Sequence, residues 1–249
     1  KELAGLTYEI RIAAGFPWQE ILTAAMTADC DIIVLGPHSS RAEEKGVIRI
    51  AGRVGSTVEN VITRERCPVM IVNQPASEDQ LRFRHILVAT DFSRSCESAV
   101  RFAVHLASQY ASKLIVFHML PVPPTPKYTR DDYAVDVAQT NTRLKSKYRS
   151  IIKGIDHRYL IRAGALPHLA ILDCTARETV DLIVMGSHTK ETSGKWYPGS
   201  VVERVAHKVN CPVAIITDPA VLLHWEKPAA SPSEVENDDL IHIFSKKRP

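Results

Sequence analysis

The sequence predicts an α/β protein made of two doubly wound parallel-sheet units, the first of them incomplete. Three observations lead to this fold class. The segments Asp31-Ile-Ile-Val-Leu-Gly-Pro-His38 and Asp181-Leu-Ile-Val-Met-Gly-Ser-His188 align without a gap at an offset of 150 residues. Further on, Gly55-Ser56 matches Gly199-Ser200 and Cys67-Pro68-Val69 matches Cys211-Pro212-Val213, both at an offset of 144. Between these markers, short apolar runs alternate with stretches of helical period. That alternation implies strands buried on both faces, joined by right-handed helical crossovers into a parallel sheet. The two offsets differ by six residues, so the first copy carries about six extra residues between Ser39 and Val54. Upstream, Gly15-Phe-Pro17 and Ile21-Leu22 echo Gly164-Ala-Leu-Pro167 and Ile171-Leu172, which extends the likeness back to about Tyr8. A domain-scale duplication explains this better than a short solenoid repeat.

In the second copy, His85–Thr90 and Lys113–His118 read as the first two strands. The helix between them carries its apolar face on Ala99, Phe102, Ala103, Leu106 and Ala107, with Ser93 as N-cap and Glu97 near the positive helix end. A loop with four prolines, from Pro121 to Arg130, precedes a polar amphipathic helix over Asp131–Lys153. A strand over Arg158–Arg162, a helix from Pro167, a strand over Leu182–Met185, a helix over Ser200–Val209 and a strand over Val213–Thr217 complete five strands. The first copy shows only the later part of the series. It has a strand over Tyr8–Ile12, a helix over Trp18–Thr27, a strand over Ile32–Leu35, a helix over Ser56–Arg64 and a strand over Val69–Val72. Such a half unit leaves strand edges and apolar helix faces uncovered, so the expectation is an N-terminally clipped piece of a longer tandem protein. The domain reading is a partial unit over 1–74, a linker over 75–84, a complete unit over 85–218, and a tail over 219–249 whose Pro-, Ser- and acid-rich composition favours disorder.

The 249 residues include 45% apolar and 24% charged side chains, a globular composition long enough for two modest cores. A net charge of +3 with scattered basic residues argues against a nucleic-acid partner. No run approaches the ~18 apolar residues of a membrane helix, so no membrane partner is expected. The five cysteines are odd in number, far apart and free of CxxC or Cys/His clustering. They are expected to be reduced, buried thiols of a cytoplasmic protein.

Chemistry is expected at the carboxyl ends of the strands, where the winding of such a sheet reverses. Asp91 ends the first strand of the second copy, where a carboxylate accepts hydrogen bonds from a ribose hydroxyl or a base amine; an N-cap or loop acid is the alternative. The loop from Gly186 to Gly199 leaves a strand and enters a helix at Ser200. Glycines let backbone approach a phosphate, and free amides at a helix N-terminus favour anions. Lys190 adds a point charge.

Thr90-Asp91-Phe92-Ser93, the Asp181–His188 segment, Gly199-Ser200-Val-Val-Glu-Arg-Val205 and Cys211-Pro-Val213 together resemble the universal stress protein family. The likeness runs over about Arg82–Asp218 in full and Tyr8–Val72 in part. It implies a five-stranded parallel sheet in the order 3-2-1-4-5. The family's ATP-binding members show Gly-x-x-Gly, nine residues, then Gly followed by Ser or Thr. Carried across by position, the resemblance gives Ala89, Asp91 and Met119 as adenosine contacts. Gly186, Ser187, His188, Thr189, Lys190, Gly199, Ser200 and Val201 become the ribose and phosphate side.

This chain departs from that pattern at Thr189, which replaces the second glycine; a β-branched residue disfavours φ > 0. Trp196-Tyr197-Pro198 adds bulk just before Gly199. In the first copy Ser39 takes the second glycine's place, the loop is longer, and no aspartate equivalent to Asp91 exists. The implied function is a stress-response protein that binds ATP or a related adenine nucleotide in its second unit and passes that state on through dimerisation or partners. The alternative is a nucleotide-free dimerising scaffold with a phosphate loop degenerate at Thr189, its exposed final strand (Val69–Val72 or Val213–Thr217) pairing sheets between copies or chains. No enzyme is expected. No nucleophile and base stand at recognisable spacing, only Glu191 lies within the loop as a metal-holding carboxylate, and no metal-ligand pattern occurs. His38, His188 and His118 read as packing or hydrogen-bonding histidines.

Overall fold

A computed structural model describes residues 7–36, 55–65, 67–74, 82–123, 127–187 and 200–217. The elements in chain order are α1 (Pro17–Ala28), β1 (Ile33–Leu35), α2 (Ser56–Arg64), β2 (Val69–Ile71), β3 (His85–Ala89), α3 (Arg94–Tyr110) and β4 (Lys113–Pro121). They continue with α4 (Arg130–Tyr148), β5 (His157–Gly164), α5 (Pro167–Arg177), β6 (Leu182–Gly186), α6 (Ser200–Lys208) and β7 (Val213–Ile216). The whole of the 219–249 tail, most of the linker and much of the loops after β1 and β6 lie outside the described residues.

All strands join one seven-stranded sheet in the order β1-β2-β7-β6-β3-β4-β5. The second copy's own strands run 3-2-1-4-5 within it, all parallel, as the resemblance implies. α3 and α4 pack on one face through Ala99, Phe102, Ala103, Leu144 and Tyr148. α5 and α6 cover the other through Ile171, Val202, Val205 and Ala206. Local chemistry sets the helix starts. Ser93 accepts from the Cys96 amide at 3.3 Å; Thr129 and Asp132 form a reciprocal capping box; Pro167 occupies the first turn of α5. α4 ends at Tyr148 rather than Lys153, and turns lead to Gly154 at φ +86°, a conformation that suits glycine.

The two copies do not form separate sheets. β2 and β7 pair antiparallel, with Met70 opposite Ala214 and with Val69 and Ile71 opposite Ile215 and Val213. Met70 and Ala214 are equivalent positions at the 144-residue offset, so a pseudo-two-fold axis passes between them. Side chains repeat the symmetry. Thr217 Oγ1 donates to the Glu65 carbonyl at 3.0 Å. Its counterpart Asn73 donates through Nδ2 to the Val209 carbonyl at 3.3 Å and to the Ala206 carbonyl. Each copy thereby satisfies carbonyls at the end of the other copy's last helix, groups a helix leaves unpaired. One apolar cluster crosses the seam, from Val58, Val61 and Ile62 to Val202, Val205 and Val209.

The expected strand over Tyr8–Ile12 does not form. Residues 7–14 carry no regular structure, and Ile12 is 97% exposed. Its equivalent β5 is held by pairing with β4, and among the described residues the first copy shows no counterpart of β4 to supply that ladder. The same absence bares one face of β1. Val34 is 57% exposed, whereas its equivalent Val184, roofed by α3, is fully buried.

Candidate functional site

The winding reverses between β3 and β6. β3 leads through α3 to β4 on one side, and β6 leads through α6 to β7 on the other. Outside their carboxyl ends lies a cavity of ≈ 480 Å³, in the range of small-ligand sites. Its walls are Ala89, Thr90 and Asp91 after β3; Phe117, His118, Met119 and Pro121 of β4; Met185 and Gly186 of β6; and Cys96, Pro167, Ile171, Val201 and Val202 from helices. A broader depression of ≈ 640 Å³ follows α4, but residues of that one helix alone line it, so it is a surface groove.

Asp91 is exposed at the cavity rim, and its Oδ1 accepts the Ser93 amide at 2.9 Å. The loop that presents it is tied to α4. Tyr148 Oη and Thr90 Oγ1 lie 2.5 Å apart, and Thr90 Oγ1 also accepts the Phe92 amide at 3.1 Å. Phe92 has φ +71°, a left-handed conformation costly for a bulky residue. It is held by Lys147, which donates to its carbonyl at 2.7 Å, and by the Arg143 guanidinium 4.0 Å over its ring. Burial raises the Tyr148 phenol to about 12, so it is a neutral hydroxyl in this network.

His118 packs against Phe92, ring centroids 4.7 Å apart, and its Nδ1 lies 2.7 Å from the Thr90 carbonyl. A carbonyl only accepts, so Nδ1 carries the proton of the neutral ring. Burial holds the His118 pKa below its ordinary value, against the Thr90 hydrogen bond and the Asp91 charge, while Arg143 lowers it further. The unfolded chain therefore takes up this proton first as pH falls. The stabilising contribution of neutral His118 is complete above about pH 6.5 and is lost as pH falls from there toward the folded value. Compared by urea unfolding, His118→Gln should lose less stability than the parent chain between pH 7 and pH 5.

Gly186 is accounted for by packing. A Cβ there would lie 2.4 Å from the Ser95 carbonyl carbon and 2.6 Å from the Cys96 nitrogen, backbone atoms of the first turn of α3. Gly186→Ala should cost about 2 kcal/mol, read as a lower urea midpoint at unchanged slope.

Of the residues expected from sequence, the fold brings Ala89, Asp91, Met119, Gly186 and Val201 to one cavity. Ser187 is buried with its amide bonded to the Ile216 carbonyl at 2.9 Å, extending the β6–β7 ladder rather than lining the cavity. Ser200 opens α6. His188, Thr189, Lys190 and Gly199 lie outside the described residues. Sequence reasoning missed the apolar wall of Cys96, Pro167 and Ile171. These residues face the cavity from two helices, α3 and α5, that only the crossovers bring together.

Fold and cavity define a class, an α/β protein with a switch-point pocket in one unit and a partial second copy of that unit along the chain. The profile of the Universal stress protein family matches residues 1–73 and 82–217, and the chain belongs to that family. A universal stress protein of Methanocaldococcus jannaschii is 28% identical over 154 residues, spanning 54% of this chain and 94% of that protein. One from Thermus aquaticus is 26% identical over 137 residues, 54% of this chain and 98% of its own length. The crystal structure of a universal stress protein from Archaeoglobus fulgidus superposes with a TM-score of 0.62 at 24% identity. The match covers 87% of this chain and 71% of that one, a likeness of fold. Among the described residues no helix is long and apolar enough to cross a membrane.

Proposed function

We propose that the second copy binds ATP or a related adenine nucleotide, and that the chain acts by binding rather than by fast chemistry. The observation that carries the reading is the cavity at the β3–β6 switch point. It is apolar enough for a purine, has Asp91 at its rim for ribose or base hydrogen bonds, and has the start of α6 at its mouth for phosphate. The family's ATP-binding members supply the expectation, and five unpaired thiols suit a reducing cytoplasm.

Among the described residues the first copy shows no counterpart of this cavity. Among the described residues its strand β1 has no neighbour on the side where β6 meets β3, so those residues give the adenosine half of the pocket no floor. The scaffold reading draws support from the β2–β7 seam, which already joins the two copies through their final strands. A bound nucleotide at that seam's flank gives partners a surface that responds to occupancy.

A ligand that binds the native state stabilises it by RT ln(1 + [L]/Kd), about 2.7 kcal/mol at a hundredfold excess over Kd. Millimolar ATP should therefore raise the melting temperature of the whole chain by several degrees. No shift, together with no nucleotide retained on purification, would remove the reading in favour of the scaffold. Thr189→Gly should tighten binding where the threonine obstructs the loop, and an unchanged affinity would show that it does not.

A further inference from the structure

We propose that Cys30 and Cys67 form a dithiol that hydroperoxides oxidise to a reversible disulfide, a modification site confined to the first copy. The site rests on the strand entrances of that copy and is independent of the nucleotide reading.

Cys67 has an equivalent in the second copy, Cys211, but the position equivalent to Cys30 at the 150-residue offset is Val180. Only the first copy can pair two thiols there. Cys30 lies in the turn between α1 and β1, and Cys67 lies just before β2. The parallel register sets Ile33 beside Val69, and the Ile33 amide donates to the Pro68 carbonyl at 2.9 Å. Cys30 and Cys67 thus stand three residues before Ile33 and two before Val69, at the entrances of neighbouring strands. Cys30 packs against the apolar cluster that contains Cys67, and its side chain lies close enough to the Cys67 thiol to help hold the proton on it.

The two sulfurs differ in ways that suit successive roles. Cys30 is half-buried and reachable by a small oxidant, whereas Cys67 is buried. Burial, with the Glu65 carboxylate beside it, pushes the Cys67 thiol up to about 12, so it stays protonated and does not attack first. Its backbone amide donates to Glu65 Oε1 at 3.3 Å, which brings that carboxylate beside the thiol.

In the first step the Cys30 thiol loses its proton to solvent and its sulfur attacks the O–O bond of the peroxide. An S–O bond forms, the O–O bond breaks, and the leaving hydroxide or alkoxide is protonated, giving a sulfenic acid. Cys67 sulfur then attacks Cys30 sulfur. The S–S bond forms, the S–O bond breaks, and the Cys67 proton passes by way of Glu65 to the departing hydroxide as water. Two thiols are oxidised and one peroxide is reduced; a dithiol reductant reverses the change. The remaining cysteines, Cys96, Cys174 and Cys211, are buried, and burial raises them to about 11, 12 and 12, so they should be spared.

The test treats the whole folded chain with a few equivalents of hydrogen peroxide, alkylates it, and maps peptides without reduction. The expected product is one intramolecular crosslink between the Cys30 and Cys67 peptides, lost on treatment with dithiothreitol, with the other three thiols alkylated only after denaturation. Cys67→Ala should leave Cys30 trapped as a sulfenic acid that dimedone labels. Because the parent chain alone gives the crosslink map, the test survives a variant that fails to fold. Oxidation of Cys30 to sulfinic acid with Cys67 still free, crosslinks through other cysteines, or an unreactive Cys30 would each overturn the proposal.

Discussion

Replacing Val69 with aspartate is expected to lower stability by about 4 kcal/mol, the cost of an unpaired charge in a dry interior. Val69 is fully buried at the centre of the seam. It pairs with Ile33 on one side and Ile215 on the other, within the apolar cluster shared by both copies. Among the described residues no lysine or arginine is buried to pair with a new carboxylate. Since among the described residues β2 is the one strand joining β1 to the rest of the sheet, the damage should reach beyond one side chain. The first copy should detach and leave the edge of β7 open, a surface prone to pair with other chains. Urea unfolding of the parent chain should be one transition across the seam. A variant with its midpoint unchanged, or a parent chain in which residues 7–74 unfold well before the second copy, would contradict this account.

Replacing Asp91 with alanine should weaken adenine-nucleotide binding about a hundredfold, roughly 2.7 kcal/mol, as expected for loss of a charged hydrogen-bond acceptor. Asp91 also accepts the Ser93 amide, so the alanine variant loosens the loop as well as the ligand. Asp91→Asn separates the two effects, because an amide oxygen still accepts from Ser93 while the charge is gone. The loop's other anchors, from Thr90 to Tyr148 and from Phe92 to Lys147, stay in place in both variants. Calorimetric titration should find Asp91→Ala weakest and Asp91→Asn between it and the parent. Equal affinity in all three would mean that the carboxylate has no part in binding.

Much of the second copy was legible because its signals are local. Five apolar runs separated by amphipathic stretches fix a parallel sheet, and Ser93 and Pro167 mark where helices begin. The first copy was harder to read. Tyr8–Ile12 alternates like a strand, but a strand persists only with a ladder partner, and the sequence pattern does not register that the partner is missing. The exposed final strands were visible as edges. Their antiparallel register, centred on Met70 and Ala214, became clear only in space. At the site, Asp91 and Gly186 stood out by position, yet Gly186 is glycine because α3 crosses within contact of its backbone, a requirement set by a helix ninety residues earlier. His118 read as a packing histidine, and its Thr90 hydrogen bond agrees with that, but it also lines the cavity. Pro167 and Ile171 carry no chemical signature, and their place in the wall follows from the crossover after β5.

The asymmetry between the copies is tested most directly by the stoichiometry of ATP binding to the whole chain at equilibrium. One nucleotide per chain is expected, displaced by ADP or AMP and weakened by Asp91→Ala. Two per chain, or one that Asp91→Ala leaves unaffected, would contradict the assignment of the site to the second copy, and none would contradict nucleotide binding altogether.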